Sequence, residues 1–446
     1  MTEASDSRWA ERVMWSSVEA LGPEDVQRLQ SGLLKDQVAW LQENSSFYRN
    51  LWDRVGFDVN DFQGQNSMSH APFTEKDELR ADQVAHGGLG TYAAVPVVEV
   101  IRVHSSSGTT GRPSFLGVTR SDAAQWTESL ARVFWCLGVR PDDIFLHATG
   151  LNFFVGGLPV KDAIETIGAT FVPIGTGASD RLVQAADSLG GTVLFCTPSY
   201  AQYLATYMQE KLQRDPSSLG LRRVLLGAEP GGGIPTIRDR IRALFGCEVR
   251  EAYGNSDLLP AFAATCDAQA GNHILAPDLL YLELIDPESG EPLPWVTGAM
   301  GELVGTSLGR ECNAVFRFRS RDHVVVNADP CSCGRTGPRI LCIGRTDDML
   351  IVSGVNVWPS AVADVVARFI PQVSGAIKIR VEGQGTAVAP PLHVRVELAT
   401  DQSDEALADA IGNLIRERLQ VKARVELVPP KSLPMSEMKT SLLERV

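Results

Sequence analysis

The side chains best suited to chemistry in this chain lie between Ser105 and Pro113, in the sequence Ser-Ser-Ser-Gly-Thr-Thr-Gly-Arg-Pro. Backbone N–H groups of such a glycine-rich loop can converge on one oxyanion, and the Ser and Thr hydroxyls can donate alongside them. The Gly-x-x-x-x-Gly-Lys-Ser/Thr spacing of a Walker A loop is absent. We therefore predict a phosphate-binding loop of another type; the alternative is a flexible Ser/Gly surface loop.

Three further polar segments follow predicted strands. The sequence predicts strands at 192–197, 222–226 and 248–253, which alternate with helices at 199–214 and 235–245. Such alternation favours right-handed βαβ units and a parallel sheet. Ligands of open parallel sheets bind at the carboxyl ends of the strands. The polar segments at these ends are Thr197-Pro198-Ser199, Gly227-Ala228-Glu229-Pro230-Gly231 and Tyr253-Gly254-Asn255-Ser256-Asp257.

The remaining chain divides into a helical start, a hairpin region and a small final unit. Residues 1–100 are predicted to be mainly helical, with one helix at 26–41, and residues 280–325 to form shorter β-hairpins. A boundary is expected near Arg345-Thr346-Asp347-Asp348. Beyond it we predict helices at 360–369 and 404–419, the latter capped by Ser403, and strands at 376–381, 392–398 and 423–428. The predicted fold is α/β: a large N-terminal domain, 1–345, with parallel-rich sheets and a β-rich subdomain, and a small mobile α+β C-terminal domain, 346–446.

Composition narrows the class of protein. The chain has 446 residues, of which 44% are hydrophobic and 21% charged, as is typical of a globular protein with a large core. The net charge of −13 argues against nucleic acid as a partner. No apolar run reaches the roughly 18 residues that a membrane span needs, and Met1 to Arg12 lack the apolar stretch of a secretory signal. We expect a cytoplasmic monomer or homodimer without a membrane partner.

Eight cysteines should remain reduced in such a protein, and several lie in apolar runs typical of the core. Cys331-Ser332-Cys333 is different, because it suggests a metal clip. Cys266 and His273 could complete a set of three sulfurs and one nitrogen suited to structural zinc. The one-residue spacing is tighter than in common zinc motifs, so free thiols are the alternative.

Five segments in this order resemble the adenylate-forming ligase superfamily, and the resemblance covers nearly the whole chain. They are residues 105–113, Gly227-Ala228-Glu229-Pro230, Tyr253-Gly254-Asn255-Ser256-Asp257, Arg319-Ser320-Arg321-Asp322 and Gly344-Arg345-Thr346-Asp347-Asp348. Other segments resemble the phenylacetate–CoA ligase branch: Phe47-Tyr48-Arg49, Pro72-Phe73-Thr74-Glu75-Lys76, Thr197-Pro198-Ser199-Tyr200, Cys331-x-Cys333-Gly334-Arg335-Thr336 and residues 354–360. The resemblance implies an enzyme that joins a carboxylate to AMP, releases pyrophosphate and passes the acyl group to a thiol, usually that of coenzyme A.

The resemblance also implies which residues bind ATP. Asp322 would accept hydrogen bonds from the ribose hydroxyls, and Tyr253 would stack on adenine. The β- and γ-phosphates would be held by Ser105, Ser106, Ser107, Gly108, Thr109 and Thr110, with Arg112 in place of the commoner Lys. The adenine and the acid would be bordered by Gly227, Ala228, Glu229 and Pro230, and the segment around Tyr253 adds Gly254, Asn255 and Ser256.

Several implied catalytic positions follow from the same resemblance. Asp257 stands where the family generally has the Glu that binds Mg²⁺, and we expect this shorter carboxylate to retain the metal, through a bridging water. Arg345 would contact phosphate, and Asp347 would be the hinge of the small domain. Lys439, preceded by Met438 where the family usually has Gly, would hold the carboxylate and the α-phosphate. Relatives with a similar Cys-x₆-His and Cys-x-Cys arrangement carry zinc at the positions of Cys266, His273, Cys331 and Cys333.

The acid-binding pocket is predicted from two adjacent aromatic residues. Phe153 and Phe154 precede Gly156-Gly157, as in the segment that lines the aryl site of phenylacetate ligases, and Tyr200 and Ala228 would complete the wall. Two adjacent Phe residues can also simply fill a core. The expected substrate is an aromatic acid resembling phenylacetate, hydroxybenzoate or anthranilate.

Three functions remain open on sequence alone. The first is an aryl-acid–CoA ligase that uses ATP, Mg²⁺ and CoA and holds structural Zn²⁺. The second is an adenylating ligase of natural-product biosynthesis that passes the acyl group to a carrier-protein thiol, an amine or a hydroxyl. The third is a nucleotide-binding protein without catalysis, against which the nearly complete motif set argues.

Overall fold

The computed structural model describes residues 13–105, 114–229, 231–383, 385–400, 405–433 and 441–446. In these residues the α-helices are α1 (Pro23–Asn44), α2 (Ser46–Val55), α3 (Lys76–His86), α4 (Arg120–Cys136), α5 (Leu158–Ile167), α6 (Ser179–Leu189), α7 (Pro198–Lys211), α8 (Pro235–Phe245), α9 (Pro359–Ala367) and α10 (Glu405–Leu419). Short 3-10 helices lie at Ser17–Ala20, Val59–Asp61, Gly64–His70, Val97–Glu99, Pro216–Leu219 and Thr346–Asp348. Within the described ranges, no helix has the length and apolar character needed to cross a bilayer.

The strands fall into a large and a small group. Before residue 346 they are β1 (Arg102–Ser105), β2 (Phe115–Val118), β3 (Ile144–His147), β4 (Thr170–Pro173), β5 (Val193–Cys196), β6 (Arg223–Leu226), β7 (Glu248–Asn255), β8 (Leu259–Thr265), β9 (Asn272–Ile274), β10 (Leu280–Ile285), β11 (Met300–Ser307), β12 (Phe318–Asn327) and β13 (Arg339–Arg345). After it they are β14 (Leu350–Val352), β15 (Val355–Val357), β16 (Val373–Val381), β17 (Ala387–Val388), β18 (Leu392–Leu398), β19 (Ala423–Val428) and β20 (Leu443–Arg445).

One mixed sheet carries most of the large unit, in the strand order β10-β11-β12-β13-β9-β8-β7-β6-β5-β3-β4. Strands β4, β3, β5, β6 and β7 pair in parallel, and the other pairs are antiparallel. The predicted α/β fold is therefore confirmed. The hairpins expected for 280–325 are longer than predicted, since β12 alone has ten residues, and they extend the same sheet.

Helices cover both faces of the parallel half, as its apolar strands require. On one face α4 and α5 pack with Phe134, Phe145 and Ile164. On the other face α6, α7 and α8 pack with Leu194, Leu204 and other apolar residues. All four residues of β5 are buried, and this explains why its sequence is an uninterrupted apolar run. The carboxyl ends of β3, β5, β6 and the middle of β7 consequently meet at one edge.

The predicted phosphate-binding loop is closed by a hairpin. Strands β1 and β2 are antiparallel, and Ser105 and Phe115 form the last register pair before the loop. Residues 106–113 lie outside the described residues, and with them Ser106, Ser107, Gly108, Thr109, Thr110 and Arg112.

The small unit has its own core. Its four-stranded sheet has the order β19-β18-β16-β20, and a three-stranded sheet joins β15, β14 and β17. Helices α9 and α10 cover these strands, and buried apolar residues from Leu350 to Val421 form one cluster. Helix α10 lies within the predicted 404–419 helix, whereas the cap assigned to Ser403 lies outside the described residues.

The small unit contacts the large unit at a few defined points. Trp358 lies against Gly344, and the Ser360 hydroxyl donates to the carbonyl of Ile343 over 2.6 Å. Arg240 on α8 donates to the carbonyl of Ser374 over 2.7 Å. These contacts join the end of β13 and helix α8 to the small unit.

Gly344 should not tolerate a side chain. A Cβ built there would lie 2.1 Å from Cδ1 of Trp358, so Trp358 would have to move. We expect Gly344→Ala to lower the free energy of unfolding by about 1–3 kcal/mol, the usual cost of overpacking. Denaturant unfolding measures it.

The matched control is Gly32→Ala on helix α1, where a Cβ meets nothing within 4 Å. Because Ala favours helix more than Gly does, this variant should gain stability of up to about 1 kcal/mol. Equal changes in the free energy of unfolding of the two variants would contradict the close contact between Gly344 and Trp358.

Candidate active site

Three of the predicted nucleotide-binding residues converge on the carboxylate of Asp322. The hydroxyl of Tyr253 donates to Oδ2 over 2.8 Å, and Nη1 of Arg345 lies 3.0 Å from Oδ1. The amide of Asn255 is at 3.5 Å from Oδ2. Asp322 is buried, and its own N–H donates to the Ser320 hydroxyl. Side chains from β7 and β13 therefore both donate to one carboxylate on β12.

The backbone around Tyr253 is tightly packed. The ring of Tyr253 stands edge-on to Phe262, with centroids 5.4 Å apart. A Cβ on Gly254 would lie only 2.2 Å from the carbonyl oxygen of Pro260, so this position needs glycine. Burial raises the pKa of Tyr253 well above its ordinary value, and the phenol therefore stays a donor toward Asp322 at neutral pH.

The segment after β6 borders the same edge of the sheet. Gly227 donates to the carbonyl of Cys196 over 3.2 Å, and a Cβ there would lie 3.3 Å from the ring of Phe195. Ala228 has a φ of 68°, a left-handed conformation uncommon outside glycine. The carboxylate of Glu229 accepts from the Ser199 hydroxyl over 2.7 Å, which ties this segment to the start of α7. Pro230 lies outside the described residues.

The predicted acid-binding segment lies against the phosphate-binding strand. The N–H of Ser105 donates to the carbonyl of Phe153 over 2.8 Å, and Ser105 forms a parallel bridge with Phe154. Phe153 is 48% exposed, and its ring lies 5.8 Å from that of Phe115. Tyr200, in contrast, is buried in the core on α7, where its hydroxyl lies 3.0 Å from that of Ser179.

His147 holds the predicted acid-binding segment through Gly156, and sequence analysis did not identify it. It ends strand β3 and is fully buried. Its Nε2 lies 2.9 Å from the carbonyl of Gly156, and the hydroxyl of Thr149 reaches the same carbonyl at 3.2 Å. A Cβ on Gly157 would meet the carbonyl of Gly150 at 2.7 Å. The same rule that singled out the other strand ends, a polar residue closing an apolar strand, also applies to His147.

Glu251 is a second buried group that sequence reasoning missed. It lies on β7 beside Leu226 of β6, and its Oε2 accepts from the amide of Asn272 over 2.9 Å. Burial raises its pKa, and the backbone of Gly232 and Gly233 donates to it. Glu251 therefore fixes the turn that follows Gly227, Ala228 and Glu229.

Asp257, the predicted magnesium ligand, has a cationic side chain as its partner. Its Oδ2 lies 2.5 Å from Nζ of Lys76, and the carboxylate is almost fully buried. Its backbone carbonyl accepts from Arg310 over 2.9 Å. Mg²⁺ prefers oxygen ligands and an excess of negative charge. One carboxylate beside two cationic side chains gives no excess of negative charge, so the side chains around Asp257 do not fit a magnesium ion.

The four predicted zinc ligands lie together. Within the described ranges, Cys266, His273, Cys331 and Cys333 form the group whose ligand atoms all lie within 4.8 Å of one another. Sγ of Cys266 is 3.6 Å from that of Cys331, and Sγ of Cys333 is 3.4 Å from Nε2 of His273. Nδ1 of His273 lies 3.1 Å from the carbonyl of Gly337, which leaves Nε2 facing the sulfurs. Three sulfurs and one imidazole fit a tetrahedral zinc site.

Of the predicted catalytic residues Asp347 and Lys439, the structure describes the backbone of the first only. Asp347 belongs to the short 3-10 helix Thr346–Asp348 that follows β13, at the passage between the two units. Lys439 and Met438 lie outside the described residues. Ser256, between Asn255 and Asp257, belongs to the turn after β7.

The buried state of His147 predicts a pH dependence of stability. Burial lowers its pKa to about 4 from 6.5, so the unfolded chain binds one more proton than the folded chain between these values. Stability should therefore fall as the pH falls from 6.5 to 4, by about 1.4 kcal/mol per unit for this group. His147→Gln, which keeps a donor for Gly156, should remove that part of the slope in denaturant unfolding.

The control is His70→Gln at an exposed position, where the slope should not change. His273, whose burial also lowers its pKa to about 4, is present in both variants and cancels from the comparison. An unchanged slope in His147→Gln would contradict the role of burial at this residue.

Comparisons with known proteins identify the family of this chain. Residues 69–308 match the model of the AMP-binding enzyme family, and residues 354–444 match that of the AMP-binding enzyme C-terminal domain. The phenylacetate–coenzyme A ligase of Thermus thermophilus is 36% identical over 94% of this chain and 96% of its own. That of Escherichia coli is 30% identical over 95% of both chains.

A solved structure extends the likeness to the whole fold. The 2-hydroxyisobutyryl-CoA ligase, in the postadenylation state with an acyl-AMP, has a TM-score of 0.91 and 27% identity, over 98% of this chain and 93% of that one. The same ligase in the thioesterification state, with CoA present, has a TM-score of 0.73. The chain therefore belongs to the AMP-binding (adenylate-forming) enzyme family, in its phenylacetate–CoA ligase-like branch, as an AMP-forming ligase that activates a carboxylic acid with ATP for transfer to CoA.

Proposed function

We propose that this ligase acts on an aromatic carboxylic acid, which it converts to acyl-AMP with release of pyrophosphate and then to an acyl-CoA. The single observation that carries the aromatic assignment is Phe153. Phe153 is 48% exposed, with its ring beside that of Phe115, and its carbonyl accepts from Ser105 at the end of the strand that precedes the predicted phosphate-binding loop. An aryl ring seated on Phe153 would place its carboxylate next to the phosphates.

The residues of the site divide the chemistry between them. Tyr253 would stack on adenine while Asp322 accepts from the ribose hydroxyls, and Arg345, already at 3.0 Å from Asp322, would neutralise phosphate charge. The Ser/Thr/Gly loop would hold the leaving pyrophosphate through its N–H groups. Because two anions must approach each other, these donors stabilise the charge that gathers as the carboxylate attacks. Lys439 would hold the carboxylate against the α-phosphate.

We propose further that residues 1–345 and 346–446 are two domains that reorient between the half-reactions. The separate core of the small unit supports this, as do its few contacts with α8 and β13. The arrangement resembles the postadenylation state of the 2-hydroxyisobutyryl-CoA ligase more closely than its thioesterification state, with TM-scores of 0.91 and 0.73 at equal coverage of this chain. Asp347 lies where the hinge would be.

The cysteine–histidine group is proposed as a structural zinc site. Cys266 follows β8, His273 lies on β9, and Cys331 and Cys333 lie between β12 and β13, so a bound zinc would join these parts. It lies next to the residues that hold Glu251, since Cys266 follows Thr265 and His273 follows Asn272. Its role would be positional, because a site with four protein ligands leaves no open coordination position for substrate.

A panel of acids tests the substrate class. We expect ATP-dependent pyrophosphate release with phenylacetate, hydroxybenzoates or anthranilate to exceed that with 2-hydroxyisobutyrate. Phe153→Leu keeps the bulk but loses the aromatic face, so KM for the aryl acid should rise about 3- to 10-fold. Val296→Ala, at another exposed apolar position, is the control. Equal rates with the aliphatic acid, or an unchanged KM in Phe153→Leu, would exclude the aromatic assignment.

The same assay separates the acyl acceptors. CoA should accelerate turnover and convert acyl-AMP to a thioester; acyl-AMP that accumulates regardless of CoA would indicate a carrier-protein thiol, an amine or a hydroxyl as acceptor. Lys439→Ala should abolish acyl-AMP formation and spare thioester formation from supplied acyl-AMP. Pyrophosphate release at the wild-type rate would rule out that role for Lys439.

Metal analysis tests the zinc site. The purified protein should contain about one zinc per chain, and Cys331→Ser should lose it and lower the thermal unfolding midpoint, because structural zinc contributes folding energy. Cys247→Ala, whose thiol is buried elsewhere, should keep its zinc. Metal-free wild-type protein from zinc-containing medium would refute the site.

A further inference from the structure

We infer that Asp257 is the fixed counter-ion of Lys76 and not a ligand of the divalent cation, so that Mg²⁺ enters on the nucleotide and is held without this carboxylate. The inference rests on the proposed ATP-dependent function and concerns one position where the chain departs from its family. It assigns Asp257 and Lys76 a positioning task.

Lys76 and Asp257 form a direct contact ion pair. Nζ of Lys76 lies 2.5 Å from Oδ2 of Asp257, and the two side chains are 24% and 3% exposed. A charge-assisted hydrogen bond of this length is short even among strong ones. Since Asp is one methylene shorter than Glu, its carboxylate stays close to the backbone of the 253–257 segment, within reach of Lys76.

The local charge opposes a metal. Arg310 is buried, and it donates to the carbonyls of Asp257, Leu258 and Cys312 at 2.9, 3.2 and 3.0 Å. No carboxylate in the described ranges forms an ion pair with Arg310. The cluster therefore holds two cations and one anion, and a divalent cation at Asp257 would add to a positive excess in a poorly solvated place.

Lys76 itself needs the carboxylate. It is the first residue of α3, and a cation at a helix N-terminus is opposed by the helix dipole. Asp257 offsets this. The N–H of Thr74, two residues earlier, donates to the carbonyl of Arg317 over 3.0 Å, just before β12. The pair thus ties the start of α3 to the turn after Tyr253, while the same stretch of chain is anchored beside the strand that carries Asp322.

The first measurement is equilibrium binding of Mn²⁺, followed by electron paramagnetic resonance, in the presence of a non-hydrolysable ATP analogue. Asp257→Asn should change the Mn²⁺ affinity less than about threefold, since loss of a group that supports a metal commonly costs 10- to 100-fold. Asp257→Glu, which restores the length that the family uses, should not tighten Mn²⁺. A larger loosening in the first variant, or tightening in the second, would overturn the inference.

The second measurement is a double-mutant cycle on the thermal unfolding midpoint. Lys76→Met and Asp257→Asn should each lower the midpoint, because the first leaves the buried Asp257 carboxylate and the second the partly buried Lys76 ammonium without its partner. The midpoint of the double variant should fall by less than the sum of the two single losses. The exposed pair Lys161 and Glu165, 2.8 Å apart, gives the control cycle with Lys161→Met and Glu165→Gln, in which the losses should be small and additive. Additive losses at Lys76 and Asp257 would refute the pairing.

These readouts are independent of turnover. If no acid supports pyrophosphate release, the proposed substrate class fails while Mn²⁺ affinity and the cycle still report on Asp257. If the acids react as expected but Asp257→Asn loses Mn²⁺, the proposed function stands and only the assignment of Asp257 fails.

Discussion

The carboxylate of Asp322 is the acceptor on which the geometry of this site depends. Tyr253, Asn255 and Arg345 reach it from β7 and β13, and it lies on β12. Because three donors share its two oxygens, the relative position of strands β7, β12 and β13 depends on one buried group. Because these donors satisfy its oxygens, the burial of this carboxylate costs little free energy.

Ion pairs also fix the residues that precede Asp322 in the chain. Glu302, with no exposed surface, binds Arg319 at 2.7 Å, and Glu75 binds Arg321 at the same distance. Arg317 and Arg319 both lie over the ring of Phe73. These pairs join the segment before α3 to β12, so the residues next to Asp322 cannot shift without leaving charges unpaired. Removing one partner of such a buried pair is strongly destabilising, because it leaves an uncompensated charge.

The sequence predicted the parts of the site that follow from local pattern, and missed those that depend on distant contacts. Glu229 follows β6 and Tyr253 lies near the end of β7; the apolar runs of both strands are recognisable, and the strand-end rule places both residues at one edge of the sheet without knowledge of the fold. The contact between Lys76 and Asp257 spans 181 positions, and no local signal pairs them. Tyr200 lies in the motif after β5, but the amphipathic pattern of α7 does not reveal that its ring points into the core. The length of the antiparallel strands was underestimated, since their Gly and polar residues hide continuous pairing.

The hydrogen bond between Ser105 and Phe153 has a consequence for how substrate range can change. Ser105, the last residue of β1, and Phe153, in the proposed acid-binding segment, share one peptide contact of 2.8 Å, while His147 holds the other end of that segment through Gly156. If Phe153 seats the acid as proposed, an acid of another size that displaces Phe153 also displaces Ser105, the residue that precedes the proposed pyrophosphate-holding loop. The proposed function therefore links substrate selectivity to the adenylation rate through one peptide contact.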